Sequence, residues 1–190
     1  MEYLGLFIGA TLITNIILSS FLGLCSFIGI SNKSSSAIGM GGAVIFVIVV
    51  SSSLTWLIFE YILVPFGIEF MRTIVFILLI ASIVQFVEMI MKKYMVSLYK
   101  TLGVYLPLIA TNCAVLGAAI MGIDRGHNFI GNVVNAAGTS VGFAIVIFIF
   151  STIRERLVHS TTPRGFKGAP VALVTASIMA LAFFGFLGMV

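Results

Sequence analysis

Long uninterrupted runs of apolar residues, parted by short polar breaks, fill the chain from end to end. Six can be traced, at roughly Tyr3–Ile30, Ala37–Val64, Phe70–Met91, Leu98–Met121, Phe129–Ile153 and Val171–Val190. Each reaches the ~17–20 residues that a helix needs to cross the hydrocarbon of a bilayer. None shows the alternation of apolar and polar positions that a membrane β-barrel requires. Backbone in lipid must satisfy its own hydrogen bonds, so the runs are expected to be helices. The connectors, Ser31–Ser36, Pro65–Glu69, Lys92–Ser97, Gly122–Asn128 and Arg154–Pro170, are too short to hold a soluble domain. The fold class expected is therefore all-α, an integral membrane protein with six transmembrane helices.

Composition sharpens this reading. Hydrophobic residues make up 61% of the 190 and charged residues only 8%, with a mean hydropathy of +1.24. So few charges cannot clothe a soluble core, which excludes a globular, a disordered or a disulfide-framed domain. The net charge of +4 does not indicate nucleic-acid binding, because the basic residues are scattered through short loops. Their distribution instead predicts orientation. Lys33, Lys92, Lys93, Lys100, Arg154, Arg156, Arg164 and Lys167 fall on the side holding the loops after runs one, three and five. Only Arg72 and Arg125 fall on the other. By the positive-inside rule both termini should lie outside the cytoplasm, in a multi-pass protein of the cytoplasmic membrane. No basic region precedes the first run, which favours a retained span over a cleaved signal peptide.

The chain also divides into two similar halves, 1–96 and 97–190. Cys25 stands near the end of the first run and Cys113 within the fourth. Small-residue stretches, Gly39-Met-Gly-Gly-Ala43 and Ala136-Ala-Gly138, follow each cysteine, and Ala-Ser-Ile recurs at Ala81–Ile83 and Ala176–Ile178. Three spans per half would make the second half enter from the opposite side, as in the inverted repeats of transport proteins. Gly23 and Gly29 flank Cys25, while Gly103, Pro107 and Gly117, with Thr111 and Asn112, surround Cys113. Helices broken at both cysteines are expected, since unwound backbone at depth is tolerated where protein or a cavity surrounds it.

Cys25 and Cys113 are the only cysteines. Several readings are open for them. They are small buried hydrophobes, the commonest state of free cysteine, or a disulfide, or ligands to zinc, though no histidine is near either in sequence. They also form half of the four thiolates that a 2Fe-2S cluster needs, with a partner chain supplying the rest. Other polar residues have plainer readings. His127 and His159 read as solvated loop residues. Glu88, with Gln85 nearby, is expected to reach the interface or pair with Lys92, and Glu60 is read in the same way. Thr14 and Asn15 read as residues that hydrogen-bond between helices. The Gly39–Gly42 run lacks the ending of a phosphate loop and fits a close helix contact.

Three stretches carry a resemblance: Phe21-Leu-Gly-Leu-Cys25-Ser-Phe-Ile-Gly29, Leu106-Pro-Leu-Ile-Ala-Thr-Asn-Cys113-Ala-Val-Leu-Gly117 and Ile153-Arg-Glu-Arg156. They resemble the family that contains the A-type subunit of the Rnf complex and the E-type subunit of the sodium-pumping NADH:quinone reductase. Gly126-His-Asn-Phe129 and Phe166-Lys-Gly168 extend the likeness, and the first of these, with its short loop, looks more like the Rnf branch. Ala110 stands where relatives often carry Thr. The resemblance implies six spans in two inverted repeats and, as partner, a homologous membrane subunit of opposite topology, similar to the E-type subunit of the Rnf complex. It maps the family's cluster cysteines onto Cys25 and Cys113, ligating a 2Fe-2S cluster shared by the pair, with Gly23, Leu24, Thr111 and Asn112 as supporting neighbours. Flavins and further iron–sulfur clusters would sit on other subunits of the complex. The implied activity is electron transfer between ferredoxin and NAD coupled to Na+ or H+ transport, with no complete active site on this chain. The rival expectations are the quinone-reductase branch, a secondary transporter without redox cofactor, and a structural anchor for redox subunits.

Overall fold

The computed structural model describes residues 2–30, 34–94, 112–158 and 168–185, and among these every regular element is helical. The first apolar run is broken into pieces. Helix α1 (Glu2–Ile8) passes into a π-helical stretch, Gly9–Ile13, followed by α2 (Ile16–Ser20) and α3 (Leu24–Ile30). Beyond come α4 (Ser34–Ile58), a second π stretch at Phe59–Leu63, α5 (Val64–Phe66) and α6 (Arg72–Tyr94). The second half contributes α7 (Cys113–Asp124), α8 (Phe129–Val158) and α9 (Ala169–Phe184). Ala37–Phe66, Glu69–Ile90 and Phe129–Leu157 are each long and apolar enough to cross a membrane. The expected first half of the fourth run, including Gly103, Pro107 and Thr111, lies outside the described residues, as do His159 and the Phe166–Lys167 portion of the family-like segment.

Asn15 explains the first break. Its side-chain oxygen accepts from the Ile17 amide at 3.2 Å and caps α2, while its amide donates to the Thr11 carbonyl at 3.2 Å. The expectation that Asn15 joins separate helices is corrected: it heals a break within its own run, serving backbone groups that lipid could not. The second break follows at once. Phe21 adopts a left-handed conformation (φ 54°) and the Leu22 amide turns back to the Ile16 carbonyl, an ending usually given to glycine. The expected end of the second run at Val64 is also corrected, because the π turn carries the helix past Pro65 to Phe66.

Helix α8 is the mast of the fold. It packs along α4 and also touches α1, the first π stretch, α2, α7 and α9. Small residues permit this. A side-chain carbon built on Gly138 would lie 2.8 Å from the Phe7 carbonyl oxygen, and one on Gly142 only 2.6 Å from that of Thr11. The spacing is glycine-x-x-x-glycine, which lets helix backbones approach where lipid gives no hydrophobic drive to associate. Thr11 seals the contact by donating to Gly138 O at 3.1 Å. Gly41 serves α4 likewise against Ala144, as expected for a small-residue run at a helix contact.

Candidate functional site

The two cysteines, 88 positions apart in sequence, meet at the starts of two helices. Cys113 is the first residue of α7, and Asn112 caps that helix by accepting from the Ala114 amide at 3.0 Å. Cys25 is the second residue of α3, preceded by Gly23 at φ 91°. The Gly23 amide donates to Cys113 Sγ at 2.8 Å, which places Cys25, two residues further on, beside Cys113. Asn112 Nδ2 donates to Ser26 Oγ at 3.2 Å, and Ser26 Oγ donates back to the Gly23 carbonyl at 2.9 Å. The helix starts are therefore stitched together by backbone and side chain alike. Gly23 is required on two counts: its φ disfavours other residues, and an added side-chain carbon would lie 2.8 Å from Phe143 Cε2.

Both thiols are free. Cys25 is exposed on the surface of the chain, whereas Cys113 is half-buried. Around them Asn112, Ser26 and Gly23 are buried and Leu24 packs against the core, so one side of the pair is walled by protein and the other is open. Among the described residues no group of three or more His, Cys, Asp or Glu side chains converges. The donor set is thus two sulfurs on one open face, with a backbone amide aimed at one of them. That arrangement fits half of a four-thiolate ligand set: an amide donor suits a sulfur that carries negative charge, and the open face admits ligands from elsewhere.

The other sequence candidates lie apart. Glu60 is exposed and Glu88 half-buried, and Arg72, at the start of α6, pairs with Asp124 at 2.6 Å. His127 departs from its expected role. Its Nε2 is buried without a hydrogen-bond partner among the described residues, its carbonyl accepts from Trp56 Nε1 at 3.1 Å, and it lines a cavity of about 360 Å³ with Tyr3, Leu6, Asn128 and Gly131. Sequence reasoning missed the Asn132 cluster too. Asn132 Nδ2 donates to the Ser52 carbonyl at 3.0 Å, tying α8 to α4, and a side chain on Gly122 would collide with it. Paired small and amide residues inside apolar runs were the available signal.

Among known proteins, the family described as "Rnf-Nqr subunit, membrane protein" matches residues 3–190. A relative from Aliivibrio salmonicida, named as the A-type subunit of an ion-translocating oxidoreductase complex, is 51% identical over 100% of this chain and 98% of its own length. Relatives of the same name from Aliivibrio fischeri and Vibrio cholerae serotype O1 (strain El Tor Inaba N16961) are 50% and 49% identical, with the same coverage.

Proposed function

The chain belongs to the Rnf-Nqr family of membrane subunits, and from that premise we propose that it is the A-type subunit of an ion-translocating oxidoreductase complex. In this reading Cys25 and Cys113 provide two of the four ligands of a 2Fe-2S cluster. The other two come from a homologous membrane subunit of opposite topology. The observation that carries the reading is the pairing of the two sulfurs at facing helix starts, with the Gly23 amide on Cys113 and Cys25 on the open face. The name shared by the relatives supports the coarser role.

When bound, the cluster supplies one-electron transfer. The chain's own residues hold and insulate. Asn112 fixes the first turn of α7, and with it the direction of the Cys113 side chain. Gly23 offers its amide to Cys113 Sγ, the kind of donor that tunes a sulfur ligand. Ser26 and Asn112 bind the two helix starts together, so that the sulfurs move as a unit. Ala114, Phe27 and Phe143 close the protein side against water. The loop charges orient the chain with both termini outside the cytoplasm in the cytoplasmic membrane. In the assembled complex the electrons pass between ferredoxin and NAD, coupled to Na+ or H+ movement, and the two halves, 1–96 and 97–190, act as inverted repeats.

The test is Cys25→Ala and Cys113→Ala in the assembled complex, read by electron paramagnetic resonance of the reduced membranes. Each variant should lose the 2Fe-2S signal while the subunits still co-purify. A signal retained in both would refute the assignment.

A further inference from the structure

Helix α3 carries Cys25 but has little means of fixing its own direction. Its described part spans Leu24–Ile30, and Cys25 lies in its first turn. The breaks at Phe21 and Gly23 separate it from α2, and glycine at its start has no side chain with which to cap it. Its start is stitched to α7, and the rest of its orientation comes from packing on α4 and on one stripe of α8. Phe143 lies against Gly23. One turn pair further on, Phe150 stacks on Phe27 with ring centroids 4.0 Å apart and planes 23° apart, both residues fully buried. Beyond that, Arg154 Nη1 donates to the Ile28 carbonyl at 2.6 Å. Positions 143, 150 and 154 share one helical face.

We infer that Arg154 is a positioning residue for Cys25, holding the far end of α3 to α8 so that the thiol at its near end meets Cys113. The chemistry is specific. The Ile28 carbonyl lies one turn beyond Cys25 on α3, so a bond to it from α8 acts close to the thiol. A guanidinium there gives the oxygen a charge-assisted bond that ties α3 to α8. Its length and planar fork suit the task in a way that a lysine does not reproduce. Because Cys25 sits in the first turn, a small rotation or slide of α3 displaces its sulfur directly.

The placement of the thiols is an observation, and only the consequence for the cluster rests on the function proposed above. The experiment therefore reads the thiols first. The full chain holds only two cysteines, so copper-phenanthroline oxidation in membranes, followed by maleimide–polyethylene glycol counting of the remaining thiols, reports their pairing without ambiguity. In the chain expressed without partners, R154Q should slow pairing about ten-fold, the scale set by loss of one charge-assisted hydrogen bond. R154K should recover part of the rate, F150L should slow it by a smaller factor, and R156Q, an exposed arginine on the same helix end, should match the native chain. If R154Q does not accumulate, R154K and F150L carry the same readout. Native pairing rates in R154Q, or in both R154K and F150L, would overturn the inference, as would equal slowing by R156Q. In the assembled complex R154K should alter the line shape of the cluster's resonance signal at unchanged iron content. A complex without iron, with pairing still dependent on Arg154, would sink the cluster reading and leave this one standing. A cluster present with pairing indifferent to Arg154 would do the reverse.

Discussion

The two cysteine-bearing helices solve one problem by opposite means. Helix α7 is capped from within: Asn112 supplies the oxygen for its first turn, and twelve residues of α-helix follow. Helix α3 is held from without, by its stitch to α7, by α4, and on α8 by a stacked phenylalanine, a carbonyl-binding arginine and the glycine contact. The self-capped cysteine is half-buried and receives a backbone amide, while the externally held one is exposed. The contrast suits a shared site. One sulfur is set by the cap of its own helix, and the other is set where it can be met from outside, with its direction controlled in part by α8.

Several substitutions would break or sharpen that contrast. The largest effect is expected from Gly23→Val, which forces a branched residue into φ 91° and against Phe143. Strain and overpacking together should cost roughly 3 kcal/mol or more, seen as loss of thiol pairing and early unfolding in a detergent denaturation series. Asn112→Ala should cost about 1–2 kcal/mol through the lost cap. Asn112→Asp should restore the cap of α7 but not the bond donated to Ser26, so the gap between the two variants measures the stitch separately from the cap. The smallest effect is expected at Phe21. Phe21→Gly relieves a left-handed conformation and should change stability by about 1 kcal/mol or less, in the favourable direction, with thiol pairing unchanged.

Much of this was legible in the sequence, and the exceptions have physical reasons. The breaks could be read because glycine and asparagine beside a cysteine have few other uses inside an apolar run. Both Gly23 and Asn112 prove to start a helix there. Gly41 was read as a close contact and is one. Asn15 was misread because an amide in an apolar run serves equally to join two helices or to mend one, and composition does not distinguish them. His127 was misread because a loop position does not reveal that the turn folds its ring nitrogen inward. Arg154 was read only among the cations that set orientation and in a family-like stretch; its reach to Ile28 O spans 126 positions and depends on how α8 crosses α3, which no local pattern encodes. Gly138 was read only as part of a small-residue stretch, and its legible spacing from Gly142 was not used.

The central claim is that this chain brings half of a sulfur ligand set and a second membrane chain brings the other half. Iron and acid-labile sulfide should be measured in the chain purified alone and in the co-purified pair. One 2Fe-2S cluster per pair and none on the chain alone is the expected result. Stoichiometric iron on the isolated chain, or an intact pair free of iron, would contradict it.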